Sequence, residues 1–350
     1  MSRRARRTLW ISIAAVAMLT SALIAAAVVE VPYWSFSPGA IRDTADVITV
    51  EGADVHPHDG TIAFTTVSID GRLSVLGFAL AFIDPDADVV AEEEVLIGSD
   101  RDENRQINLQ LMDLSTQNAS YVALQRLGYE VNTIGTGAMI MNVEEDMPAA
   151  EVLEVGDTIV AVDGEPVQQA EDLVDAISNE EPGTTVTLTV EELDSSDRQE
   201  RTVTLTERDD DPSQAFLGVA PATRDLAFDF PVDVRFDTGG VGGPSAGLAY
   251  TLALLDLLTP GDLTGGVEVA ATGTIDRDGN VGPIGGLEYK AVGARRDGFD
   301  VFLVPADTPP DELEAAHRRA GDAVELIEVS TLDEALEALV ELGGDPLPED

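Results

Sequence analysis

The chain has 350 residues, room for two ordinary domains, and 44% of them are hydrophobic, which excludes wholesale disorder. Acidic residues outnumber basic ones 66 to 20, and a net charge of −46 repels nucleic acid and anionic lipid, so a DNA or RNA partner is not expected. Cysteine is absent, which excludes disulfides, thiolate metal sites and a cysteine nucleophile.

The N-terminus is basic through Arg3, Arg4, Arg6 and Arg7, and residues 8–29 carry no charge at all. As a helix at ~1.5 Å per residue that stretch reaches about 33 Å, enough to cross a bilayer. The arginines then place residues 1–7 in the cytoplasm and the rest of the chain outside it, as a single-pass protein of the cell membrane. A cleaved signal peptide with a small-residue site near Ala25 to Ala27 is the competing reading, and the length of the run favours a retained anchor.

Residues 33–128 alternate short β-rich runs with turns. Residues 46–52 and 60–69 read as strands on either side of the polar turn His56-Pro57-His58-Asp59-Gly60. Residues 111–129 place apolar side chains at helical spacing and predict one amphipathic helix.

Residues 130–208 form a module with its own order of signals. A glycine-containing loop (Gly135, Gly137) leads into an apolar run at 138–143, then Pro148-Ala149-Ala150, Gly156-Asp157 and Val162-Asp163-Gly164. A helix at 170–179 and strands at 184–191 and 201–206 complete it. The module resembles a PDZ domain of the kind found in bacterial proteases. That resemblance implies peptide capture by strand addition beside Gly135, Gly137, Ala138, Met139 and Ile140. A PDZ-shaped spacer that binds nothing is the alternative.

The charged, breaker-rich stretch 207–212 reads as a boundary, followed by an α/β region at 213–343 and a polar, loose tail at 344–350. Within the α/β region, a strand at 232–236 runs into a glycine-rich turn, and a helix starts near Ser245. A serine there has an exposed hydroxyl with free backbone N–H groups nearby to hold an oxyanion. It is equally the residue type that caps a helix. GxxxxGK followed by Ser or Thr is absent, so no ATP is expected by that route, and without HExxH no metal is expected either.

A nucleophilic serine needs a base. The three histidines, His56, His58 and His317, sit in no triad context. Nineteen of the 20 basic residues are arginine, and Lys290 is the only lysine. Lysine, unlike arginine, can lose its proton when its surroundings depress its pKa. Lys290 follows Gly285-Gly286 just inside a predicted helix, with Leu287, Ala291 and Val292 as apolar company. Burial and the positive end of the helix both favour the neutral amine there.

GGPSAG at 242–247, ATG at 271–273 and PIGGLEYKAVGA at 283–294 together resemble the proteolytic domain of the Lon proteases. The resemblance implies a Ser-Lys dyad of Ser245 and Lys290, with Thr272 near the amine and Gly243 and Ala246 in support. The chain departs from that family in carrying no ATPase module, and in having Gly240-Val241-Gly242 where charged residues are usual. Anchor, PDZ module and Lon-like domain together resemble the PDZ-containing Lon-like proteases of Gram-positive bacteria.

The fold class implied is an α/β (α+β) Lon-type proteolytic domain, interrupted by an inserted β-rich PDZ domain and preceded by a transmembrane helix. Residues 33–128 then supply its N-terminal part, with a separate β domain as the alternative. The function implied is an ATP-independent, membrane-anchored serine endopeptidase for unstructured or damaged extracytoplasmic polypeptides. It would need no cofactor and would assemble as a homo-oligomer. An inactive membrane-tethered PDZ scaffold and a dedicated processing protease for one signalling partner are the two rivals.

Overall fold

The computed structural model of the chain describes residues 3–58, 60–96, 101–144, 147–193, 195, 197–208 and 211–348. Met1, Ser2, the turn residue Asp59, Glu145 and Asp146 of the PDZ-like module, Asp209 and Asp210 of the expected boundary and the last two residues of the tail lie outside them. The chain divides into two compact units, one of Met1–Tyr129 with Val232–Asp350, the other of Glu130–Pro231.

The first unit is built on a six-stranded sheet. Its strand order is Glu325–Val329, Val301–Pro305, Glu268–Ala271, Thr61–Asp70, Tyr33–Asp43 and Asp88–Ala91. The first four are parallel to one another, Tyr33–Asp43 runs antiparallel to them, and Asp88–Ala91 runs antiparallel to Tyr33–Asp43. Parallel strands covered on both faces read as unbroken apolar runs, as VFLVP at 301–305 does with all five residues buried.

Alternation along the strands sorts the core into two layers. Ile62, Phe64, Val269, Ala271, Val301 and Leu303 face the helices Arg101–Arg126, Gly247–Leu258 and Leu332–Glu341. Ala63, Ala270, Phe302 and Val304 face Leu287–Asp297 and Pro310–Ala320. The period of two in the strands is what divides the helices between the faces.

Gly247–Leu258 is the central helix, with every residue from Gly247 to Leu255 buried. Each fully buried leucine in it contributes roughly 1.5–3 kcal/mol. Tyr250 packs between Phe64 and Phe236, with ring centroids 5.2 and 4.9 Å away. Its hydroxyl is buried and has no hydrogen-bond partner among the described residues, and burial pushes its pKa up to about 12. An unpaired buried hydroxyl costs about 1 kcal/mol or more. Tyr250→Phe is therefore expected to stabilise the protein by about that amount, read as a higher urea midpoint at unchanged slope.

The helix predicted at 111–129 spans Arg101–Arg126. Its first turns, RDENRQINLQ, are too polar to show a periodic signal. The segment 33–128 also contains the helix Val75–Ile83, where only β-rich runs and turns were expected. The tail is not loose as far as it is described. Gly344 N–H donates to Leu339 O at 3.0 Å, Asp345 N–H to Asp262 O at 2.8 Å, and Leu347 packs on the core. Near the N-terminus, Arg3–Val28 is helical, and Trp10–Val28 within it is long and apolar enough to cross a membrane, with none of it buried.

The second unit has a five-strand path in the order Arg198–Thr204, Thr185–Glu191, Thr158–Val162, Ala138–Val143, Val219–Thr223, with the short strand Glu165–Pro166 beside the third. The helix Ala170–Ser178 buries Leu173 and Ile177 against it and starts at a capping box between Gln169 and Asp172. The unit runs on to Pro231, past the charged stretch at 207–212. Val219–Thr223 completes its sheet, and Ala227–Asp229 pairs with Asn132–Ile134. Residues 213–231 thus belong with the module at 130–208, not with the α/β region.

Candidate active site

Three separate stretches of sequence meet at the carboxyl end of the strand Glu268–Ala271, the end where open α/β sheets present their sites. Ser245 lies two residues before the helix Gly247–Leu258. Thr272 follows the last strand residue. Lys290 is the fourth residue of Leu287–Asp297, on the opposite face of the sheet. Gly286 starts that helix with φ 71°, a left-handed conformation that glycine adopts at little cost, and its carbonyl accepts from the Lys290 N–H.

Lys290 Nζ lies 2.8 Å from Ser245 Oγ, 3.0 Å from Thr272 Oγ1 and 3.1 Å from the Thr65 carbonyl. Its side chain is buried, the residue being only 3% exposed. Among the described residues no ion pair compensates the charge, and burial lowers its pKa to about 7.

The direction of the contact depends on whether the amine is protonated: an ammonium donates to the serine hydroxyl, and for the neutral amine the other hydrogen bonds decide it. Thr272 donates its hydroxyl proton to the Ser245 carbonyl at 3.0 Å, so it accepts from the amine. The Thr65 carbonyl can only accept. A neutral amine has two N–H bonds and one lone pair. With both protons committed to Thr65 and Thr272, the lone pair is left for Ser245, whose hydroxyl must donate to it. That is the orientation needed to remove the serine proton.

The turn before Ser245 is held by the helix Arg101–Arg126. Gly243, at φ 92°, donates its N–H to Asn108 O at 2.7 Å. Ser115 Oγ donates to Pro244 O at 3.0 Å, and Asn118 to Ile275 O at 3.0 Å. Gly243 thus shapes the turn, and its N–H is already used. Ala246 stands at the N-cap position of the central helix and Ser245 does not, so the serine hydroxyl faces the amine and is not spent on a cap. Among the described residues nothing accepts from the N–H of Ser245 or Ala246. Both N–H groups are left unspent beside the serine hydroxyl.

Ser245 and Lys290 line a cleft of about 1060 Å³, walled by Thr65 to Val67, Asn104, Arg105, Asn108 and Gly240 to Ala246. The histidines lie elsewhere. His58 Nε2 is 3.0 and 3.1 Å from the carbonyls of Asp256 and Thr259, and His56 N–H donates to Leu257 O. Both tie down the C-terminal end of the helix that begins after Ser245. Thr65, Asn108, Ser115 and Asn118 carry no signal in the sequence, because they act through backbone carbonyls or from a polar helix far along the chain.

In the second unit the strand Ala138–Val143 cannot accept an added peptide. It pairs with Thr158–Val162 on one side and with Val219–Thr223 on the other, so Ala138, Met139 and Ile140 have no free edge. Gly137 is likewise engaged, its N–H on Gln168 O and its carbonyl on Arg224 N–H, and a side chain at Gly135 would meet Gln168 O at 2.4 Å. The edge strand on this side of the sheet is Val219–Thr223, whose outer side has no strand partner among the described residues. Between it and the helix Ala170–Ser178 lies a cavity of about 150 Å³ lined by Leu173, Val174, Ile177, Phe216, Leu217 and Pro221, among others.

Residues 125–206 match the model of the PDZ domain, and residues 227–341 that of the Lon protease (S16) C-terminal proteolytic domain. Lon protease 1 of Bacillus subtilis is 36% identical over 123 residues, 35% of this chain and 15% of that protein. The Lon protease of Rickettsia felis is 37% identical over 118 residues, 32% of this chain and 14% of that protein. The chain thus spans about a seventh of the length of the curated relatives it matches. Among solved structures, the PDZ domain of the SdrC-like protein from Listeria monocytogenes is 28% identical, covers 25% of this chain and 87% of its own, and has a TM-score of 0.23. The chain thus carries, in this order, a region similar to a PDZ domain and a region similar to the proteolytic domain of the Lon proteases.

Proposed function

We propose that the chain is an ATP-independent serine endopeptidase working through Ser245 and Lys290. The observation that carries this is the buried lysine amine 2.8 Å from a serine hydroxyl in a cleft of about 1060 Å³. Neutral Lys290 takes the Ser245 proton as Oγ bonds to the peptide carbonyl carbon. The resulting oxyanion is held by the N–H groups of Ser245 and Ala246. The ammonium returns the proton to the departing amine nitrogen, leaving an ester on Ser245. Water, deprotonated by the same amine, then releases the acid and restores the serine.

Thr272 and Thr65 hold the amine in place throughout. Unfolded or damaged polypeptides outside the cytoplasm are the substrates this reading implies, with Trp10–Val28 as the anchor. The test is hydrolysis of casein by the full chain, together with labelling by a fluorophosphonate. Turnover and a label that vanishes in Ser245→Ala support the proposal. A chain that binds peptides yet neither cuts nor labels would make it a scaffold.

Peptide capture is assigned to the edge strand Val219–Thr223 and the apolar groove beside it, in place of the strand at 138–143. Val174 lines that groove and is exposed, so Val174→Glu leaves the fold intact and puts a charge where an apolar side chain would dock. It is expected to weaken binding of an apolar-ended peptide at least tenfold by fluorescence anisotropy, about 1.4 kcal/mol. Met139→Glu, on the interior strand, serves as the contrast for overall fold.

A further inference from the structure

The helix Val75–Ile83 has the sequence VLGFALAFI, without one polar side chain, and none of its nine residues is buried. Val75, Leu80, Phe82 and Ile83 are 41%, 57%, 74% and 74% exposed. Val75, Ala79, Phe82 and Ile83 fall at helical spacing on one stripe. A continuous bare apolar face of this kind is not a feature of a surface facing only water.

Its place in the fold says what covers it. Val75 N–H donates to Val29 O at 2.9 Å and Val31 N–H to Leu73 O at 2.8 Å, with Glu30 bridged to Ser74 between them. These bonds pin the start of the short helix to the residues where Arg3–Val28 ends. Ser74 caps it by accepting from Gly77 N–H at 3.0 Å. Tyr33 then packs edge-on against Phe78, and Phe78 stacks on Phe82. The stripe is therefore continuous with the end of the membrane-crossing segment. At ~1.5 Å per residue the helix is about 13 Å long, too short to cross a bilayer.

We propose that Val75–Ile83 lies in the lipid–water interface as a second membrane contact beside the anchor, which sets the position of the catalytic unit on the bilayer. This rests on the reading of Trp10–Val28 as a membrane span. The attraction is apolar and not electrostatic. The chain carries −46 charges, Asp84, Asp86 and Asp88 follow the helix directly, and the nearby Arg72 is engaged by Glu92 at 3.2 Å. The surface it fits is accordingly an uncharged, zwitterionic one.

The chain has no cysteine, so single nitroxide labels can be placed without background. Phe82→Cys, Ile83→Cys, Leu19→Cys in the span and Val340→Cys on an exposed distant face are labelled in the full chain. They are then reconstituted in phosphatidylcholine vesicles. Collision with oxygen is compared with collision with a water-soluble nickel complex. The expected result is an oxygen-to-nickel ratio at positions 82 and 83 several-fold above that at 340 and approaching that at 19. Water-like ratios at 82 and 83 with a lipid-like ratio at 19 overturn the docking and leave the anchor standing. A water-like ratio at 19 overturns both. Shielding from both reagents, with spin–spin broadening that disappears on dilution with unlabelled chain, assigns the face to a second copy and overturns the lipid contact.

Discussion

Lys290→Met is expected to abolish cleavage of casein, lowering kcat/KM by at least ~10³-fold while the protein stays folded. Methionine is apolar, close to lysine in length and without a lone pair basic enough to accept the serine proton. It keeps the length of the side chain and removes the charge that burial penalises, so the variant tests chemistry and not folding. Ser245→Ala is expected to be as inactive, and the double variant no worse than either single one, because nucleophile and base act as a unit. Lys290→Arg is the less informative change. A guanidinium cannot shed its charge, and burying it unpaired would destabilise the fold. If Lys290→Met keeps within tenfold of the parent rate, the base is another group and the mechanism is wrong.

The second large effect is on stability and follows from the same amine. Lys290 has a pKa of about 7 in the folded protein against 10.5 for the ordinary side chain. Between those values the unfolded chain holds a proton that the folded chain does not, so raising the pH favours folding. The contribution grows by about 1.4 kcal/mol per pH unit across that window. Below pH 7 both states are protonated, the slope from this residue vanishes, and burial of the ammonium weighs against the fold on the order of 5 kcal/mol. Urea unfolding at pH 7, 8 and 9 is expected to show the parent gaining about 2 kcal/mol or more relative to Lys290→Met. Parallel pH profiles for the two proteins would mean that the amine is not depressed.

The site was legible where chemistry demands particular side chains in a local pattern. Ser245, Thr272 and Lys290 come from three separate motifs, and they meet within hydrogen-bond distance. Its supports were not legible for definite reasons. Thr65 contributes a carbonyl from 225 residues away, an atom every residue has. Asn108 and Ser115 hold the serine turn from a helix whose first turns have no apolar stripe to announce it.

Two features of the architecture are hidden in the sequence for similar reasons. The strand at 138–143 was placed correctly as a strand, yet which of its edges is open depends on a partner some 80 residues later, beyond a charged stretch that looks like a boundary. Val75–Ile83 has no polar side to give it a helical period, so only the fold shows it as a helix, and only its neighbours show what it faces.

Whether a buried neutral lysine serves Ser245 can be read directly, because Lys290 is the only lysine in the chain. Incorporating lysine labelled with carbon-13 at Cε gives one side-chain signal, and its shift can be followed from pH 5 to 11. A single titration near 7 is expected in the folded protein, moving to the ordinary lysine range when the chain is unfolded in urea. A signal that stays that of an ammonium up to about pH 10 in the folded protein would contradict it.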